Sequence, residues 1–211
     1  MHARVQRASW LICGAGAAAT LAGWAALPGE FPHAWLAAWT CWLAWPLGSL
    51  ALVLIHALTG GRWGETLRRP LAAGVAALPV MLAAGAPLVL VRPELYPWMR
   101  PEIATHLSNR LYLNAPFFDV RTAIYLLVWL TLSFKTLGAL RHEQPGTRLA
   151  RIAPAGLILL ALTVTFAAID YTLSLEPRFQ SSIYGWMAGS EAILFALSIA
   201  VAAAGLMPGA G

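Results

Sequence analysis

Apolar residues gather into six runs along the chain, at about residues 10–27, 35–58, 71–91, 116–137, 153–174 and 183–206. Each is long enough to cross roughly 30 Å of hydrocarbon as a helix of about 20 residues. Polar side chains do not alternate with apolar ones inside the runs, and Ala and Leu predominate. That argues against a closed β-barrel and for helices that satisfy their own backbone groups. The pattern predicts an all-α integral membrane bundle of about six transmembrane helices, a single domain over residues 1–211.

Composition agrees, since 59% of residues are hydrophobic and only 11% charged, outside the range of an ordinary soluble domain. Small residues recur in "CGAGAAATLAG" and "AAGVAALPVMLAAGAP"; such stretches let helices approach closely in lipid and are expected to form helix contacts. Arg4 and Arg7 before the first run resemble the start of a signal peptide. The run exceeds a usual h-region of roughly 7–15 residues, however, and Trp10 and Trp24 flank it like interfacial anchors, so it is expected to stay in the protein.

The net charge of +5 reads as a topology signal in place of a nucleic-acid footprint. The N-terminus (Arg4, Arg7), the loop after the second helix (Arg62, Arg68, Arg69) and the loop after the fourth (Lys135, Arg141, Arg148, Arg151) carry nine basic residues on one side. Arg92, Arg100, Arg110 and Arg178 make four on the other. Basic loops stay cytoplasmic, so both termini are expected there. Two non-helical stretches are expected. Residues 92–115, with three prolines and Tyr96, Trp98 and Tyr112, read as a folded cap in the membrane interface. "HEQPGTR" (142–148) reads as a cytoplasmic turn.

Cys13 and Cys41 fall in predicted helices without CxxC or CxxCH spacing, which implies no disulfide, zinc or covalent haem. Apart from His56, the histidines (His2, His33, His106 and His142) fall at termini or in loops, leaving no facing pair for a bis-imidazole haem. His56, at the end of the second helix, is either a hydrogen-bonded interfacial histidine or a proton-relay group. "LTGGRWGE" lacks a phosphate-loop frame, and Gly60 and Gly61 read as the stop of that helix, with Trp63 an anchor.

Ionisable residues at hydrocarbon depth are costly and are the candidate sites. Asp170, near the end of the fifth helix, either pairs with an arginine or handles a proton near that surface, and Glu176 and Arg178 follow in the connecting loop. Asp119 and Arg121 open the fourth helix after Asn114 and Pro116. Asp119 is expected to complement the helix dipole. Arg121 needs a partner, for which Asp119, Asp170 and Glu191 are the candidates. Glu191, about nine residues into the sixth helix, is the deepest acidic residue and requires protonation or a partner. Tyr125, Trp129, Tyr171, Tyr184 and Trp186 could line a quinone pocket or form an aromatic belt.

Three motifs, "IHALTGGRWGETLRRPL" (55–71), "ELYPW" with "LNAPFFDVRTAIYLLVW" (94–98 and 113–129) and "LTVTFAAIDYTLSLEPRFQSSIYGWM" (162–187), occur in this order. Together they resemble the ActF/NrfD-like membrane subunits of alternative complex III, a bacterial quinol:cytochrome c oxidoreductase, over about residues 40–190. The resemblance implies a non-redox, multi-pass subunit of the bacterial inner membrane, acting as scaffold and contributing to a proton half-channel or quinone site. It further implies no cofactor bound by this chain, with quinone or quinol as a candidate ligand, haem c and iron–sulfur clusters in partner subunits, and a terminal oxidase as a candidate partner. The positions it carries over are His56, Arg62, Trp63, Asn114, Pro116, Phe117, Phe118, Arg121, Asp170, Ser174, Glu176, Pro177 and Tyr184. The family has about ten helices where six are predicted here, and Tyr171 stands where the family tends to have Trp, so a shortened accessory relative is expected. A proton path would run through His56, Asp119, Arg121, Asp170, Glu176 and Glu191. The rival readings are a stand-alone small transporter or proton channel and an assembly factor of a respiratory complex.

Overall fold

The computed structural model describes residues 2–105, 107, 109–141, 145–178 and 180–206. Among the described residues every regular element is helical: α1 (His2–Ala26), α2 (Phe31–Thr59), α3 (Arg62–Ala84), α4 (Ala86–Leu95), α5 (Pro101–Ala104), α6 (Ala115–Leu140), α7 (Pro145–Tyr171) and α8 (Tyr184–Leu206). Short 3-10 turns occupy Pro97–Met99 and Leu173–Leu175. Six helices (α1, α2, α3, α6, α7 and α8) are long and apolar enough to cross a membrane. The chain is a multi-pass membrane protein.

Most helices extend beyond their apolar runs, because hydropathy marks only the part that sheds water and the backbone keeps pairing past it. The third run differs most. Predicted over 71–91, its helix is α3, which begins at Arg62 and ends at Ala84. Gly60 and Gly61 adopt φ of 68° and 99°, a conformation other residues rarely take, and turn the chain straight into α3. Glu65 in its first turn complements the helix dipole. Arg62, Arg68 and Arg69 therefore lie on a helix, not in the expected loop. Arg68 Nη2 donates to the carbonyl of Leu140, the last residue of α6, at 2.8 Å. The expected 142–148 turn is also revised: residues 142–144 lie outside the described residues, and 145–148 already belong to α7.

Packing centres on α2, which lies against α3, α7 and α8. Its residues from Pro46 to Leu54 are all buried, as in a helix enclosed on every side. On α8 the buried alanines Ala192, Ala196, Ala200 and Ala204 recur every fourth position and so form one face. That face meets α2 at Gly48, where a Cβ would lie 1.9 Å from the Ala192 carbonyl oxygen. Small residues thus set the α2–α8 distance, in keeping with packing in lipid. In α3 the glycine-rich stretch also packs: a Cβ at Gly74 would lie 2.1 Å from the Ser49 hydroxyl.

By contrast, α1 buries none of its small-residue stretch against another helix of this chain. None of its residues from Gln6 onward is buried, and no atom approaches the Cβ positions of Gly14 or Gly16 within 4 Å. The ring stack Trp24–Phe31–Trp35, with centroids 5.6 and 5.8 Å apart, ties α1 to the body.

At the end of the bundle where α2 begins, Trp35 and Trp39 donate to the carbonyls of Ala84 (3.1 Å) and Met81 (2.7 Å). Carbonyls in the last turn of a helix lack intrahelical partners, and the two indoles supply them. The segment from α4 to α5 folds over this end as a cap. Its aromatics are not an interfacial belt, however, since Tyr96 and Trp98 are buried against Phe118 with ring centroids 5.2 and 5.5 Å away.

Candidate functional site

Asn114 starts α6: its side-chain oxygen accepts from the Phe117 N–H at 3.0 Å, and Pro116 occupies the first turn. From that fixed start Phe117, Arg121 and Tyr125 follow at four-residue spacing along one helix face. Asp170 faces them from the last turn of α7, with no exposed surface. Arg121 donates through Nε to Oδ2 at 2.8 Å and through Nη2 to Oδ1 at 2.9 Å, a two-pronged pair. The Tyr125 hydroxyl donates to Oδ2 at 2.7 Å.

The guanidinium is equally well held. Its Nη1 donates to the Tyr112 carbonyl at 3.1 Å, and its plane lies 3.9 Å from the centre of the Tyr112 ring and 4.3 Å from that of Phe117. Stacking of this kind suits a weakly hydrated, planar cation. A buried ion pair is tolerable only when its hydrogen-bonding groups find partners, and here all three guanidinium nitrogens donate and both carboxylate oxygens accept.

The carbonyls at the end of α7 are capped from below. The Ser174 hydroxyl donates to the Asp170 carbonyl at 2.6 Å, and Trp98 Nε1 donates in turn to Ser174 Oγ at 3.2 Å. The Tyr96 hydroxyl donates to the Tyr171 carbonyl at 3.2 Å. Burial raises the Tyr96 phenol above its ordinary value of 10.0, and Tyr171 and Asp170 add to the effect. Tyr112 is raised first by burial and then by the Asp170 carboxylate, against the opposing pull of Arg121. The whole cluster ties α6, α7 and the cap into one unit.

Of the sequence candidates for a proton path, Arg121 and Asp170 meet. Among the described residues no hydrogen bond or ion pair joins Asp119, Glu176, Glu191 or His56 to them. Asp119, expected to complement the dipole at the start of α6, lies beyond its first turn, which Asn114 caps, and pairs with Arg92 of α4. Glu176 is exposed after the second 3-10 turn. His56 lies at the other end of the bundle, its Nε2 2.9 Å from the Gly61 carbonyl and its ring edge-on to Trp63.

The aromatic candidates also separate. Trp129, Tyr171 and Tyr184 line a cavity of about 730 Å³ between α2, α7 and α8, which Glu191 also lines. Tyr125 is committed to Asp170, and Trp186 is exposed beside a smaller cavity of about 220 Å³. His33, read from sequence as a loop residue, lies in the first turn of α2 and lines the larger cavity; His106 and His142 lie outside the described residues. Among the described residues no three His, Cys, Asp or Glu side chains gather as metal ligands would.

Sequence reasoning missed Tyr96, Trp98 and Tyr112 as supports of the pair. Phe117 was accessible, because an aromatic four positions before a buried arginine can stack on it. Nothing in the local sequence announces that Trp98 meets Ser174, 76 residues away.

Fold and site together define an all-α, multi-pass membrane protein with a buried, hydrogen-bonded ion pair near one end and a cavity beside it. No protein-family profile matches the chain, and a search of curated proteins finds no match.

Proposed function

We propose that the chain is a non-redox membrane subunit of a bacterial respiratory quinol:cytochrome c oxidoreductase of the alternative complex III kind, working as a scaffold in the inner membrane. One observation supports this reading above the others. The second and third motifs that carry the resemblance converge on one cluster: Trp98 from "ELYPW", Asn114 and Arg121 from "LNAPFFDVR", and Asp170 and Ser174 from "IDYTLSLEP". A set of motifs that exists to build one structural knot belongs to a subunit whose task is to hold a shape for its partners.

The saturated pairing of Asp170 favours the scaffold role over a proton half-channel at this position, because each carboxylate oxygen already accepts from the guanidinium and one also from Tyr125. The arginine-rich end of the bundle, with Arg62, Arg68, Arg148 and Arg151, faces the cytoplasm in this account. Deleting the chain from its native host tests the proposal. Quinol-driven cytochrome c reduction in membranes is expected to fall and to return on complementation with the wild-type chain; unchanged activity in the deletion strain refutes it.

A further inference from the structure

We propose that the cavity between α2, α7 and α8 binds a lipid-soluble, long-tailed molecule whose hydroxyl head donates a hydrogen bond to Glu191. Ala192, the neighbour of Glu191, abuts Gly48, close to the middle of α2. Glu191 therefore stands near mid-membrane, as its place two turns into α8 also indicates.

Next is the state of the cavity's other polar groups. Thr40 donates to the Leu36 carbonyl at 2.9 Å, Ser198 to Leu194 at 2.8 Å and Thr172 to Ala168 at 2.6 Å, all within their own helices. Tyr184 donates to Thr172 at 2.8 Å, and the Tyr171 hydroxyl is buried without a hydrogen-bond partner. Glu191 is different: its side chain is exposed, and among the described residues it has no hydrogen-bond or ion-pair partner. Glu191 thus offers an unpartnered carboxyl group to a cavity lined mainly by apolar side chains and by hydroxyls already donating, with His33, Cys41 and Tyr171 also in its lining.

A site of this kind suits an occupant with a large apolar body and a small hydroxyl-bearing head. Its volume, about 730 Å³, is that of a pocket for a cofactor-sized molecule. Sugars and other polyols fail, because their further donors and acceptors would go unpaired. Phospholipid fails on depth, since its charged head stays in the interface, far from Glu191. A lipid-soluble alcohol or phenol meets both conditions, and an isoprenoid quinol is one such molecule. The site stands on this geometry and does not depend on the respiratory reading.

The test is to purify the full chain from its native membrane in mild detergent, extract the bound lipids and identify them by mass spectrometry. The wild type is expected to retain a hydroxyl-bearing long-chain lipid, enriched over bulk membrane. Glu191→Leu should lower the retained amount about fivefold, the factor that one hydrogen bond contributes. Glu191→Gln, which keeps an acceptor, should retain most of it. Equal retention in Glu191→Leu and wild type overturns the proposal, as does an extract containing phospholipid alone or a partner helix cross-linked into the cavity. An alcohol other than a quinol, in a chain that purifies without respiratory subunits, upholds the site and refutes the function proposed above. A respiratory complex whose copy of this chain holds no such lipid does the reverse.

Discussion

Arg121 and Asp170, 49 residues apart in sequence, join α6 to α7 through two hydrogen bonds of 2.8 and 2.9 Å that enclose both charges. Removing one partner strands the other. Asp170→Asn leaves a buried guanidinium without its counter-charge and is expected to cost about 3–5 kcal/mol. Replacing both, as Arg121→Met with Asp170→Leu, should return much of that loss, because a well-packed apolar pair escapes the desolvation of two ions. Unfolding of the purified protein in mixed micelles measures each variant. In the native host, Asp170→Asn should reduce the abundance of the assembled complex while leaving quinol oxidation per assembled complex unchanged, as a scaffold residue would.

The α2–α8 seam is set by backbone contact. Gly48→Ala places a methyl group where the Ala192 carbonyl stands, 1.9 Å from the ideal position, and neither backbone can yield cheaply. Overpacking of this sort costs about 1–3 kcal/mol. Thermal stability followed by size-exclusion chromatography in detergent should show the loss, and Gly14→Ala in exposed α1 should show none, since nothing lies within 4 Å of its Cβ position.

Trp39→Phe keeps one aromatic ring but removes the pyrrole ring and with it the donor to the Met81 carbonyl, made at 2.7 Å. Side-chain hydrogen bonds between membrane helices average about 0.6 kcal/mol and reach about 1–2, so a small but measurable destabilisation is expected. The same unfolding assay checks it, with the exposed Trp42→Phe as the control.

Alkaline pH should loosen the cap. Because burial raises Tyr96 above its ordinary value of 10.0, the folded protein holds that phenolic proton more tightly than the unfolded chain does. The stability so contributed is complete below pH 10.0 and is lost as pH rises toward the folded value. Tyr112 acts in the same direction. Ultraviolet titration of phenolate should show Tyr96 and Tyr112 resisting ionisation beyond pH 10.0 until the protein unfolds.

The six crossings were legible because hydrocarbon thickness imposes run length directly on the sequence. Helix ends beyond the lipid were not: α3 begins nine residues before its apolar run, in "RWGETLRRP", whose polar side chains carry no hydropathy signal. That Arg121 needs a carboxylate could be read from its depth, and Asp170 was among the candidates. The choice of Asp170 over Asp119 was not readable, since it depends on Arg92 reaching Asp119 from α4. Tyr96 and Trp98 were taken for interfacial residues because composition does not distinguish an aromatic that faces lipid from one folded beneath a cap. For α1 the small-residue pattern marked a surface able to pack closely, but pattern alone does not say whether the neighbour belongs to the same chain.

The most direct measurement for the central claim is quantitative mass spectrometry of a tagged copy of this chain purified from its native membrane in mild detergent. The account predicts haem c and iron–sulfur subunits of a quinol-oxidising complex at a fixed ratio to the tagged chain. A chain that emerges alone, or only with further copies of itself, contradicts it.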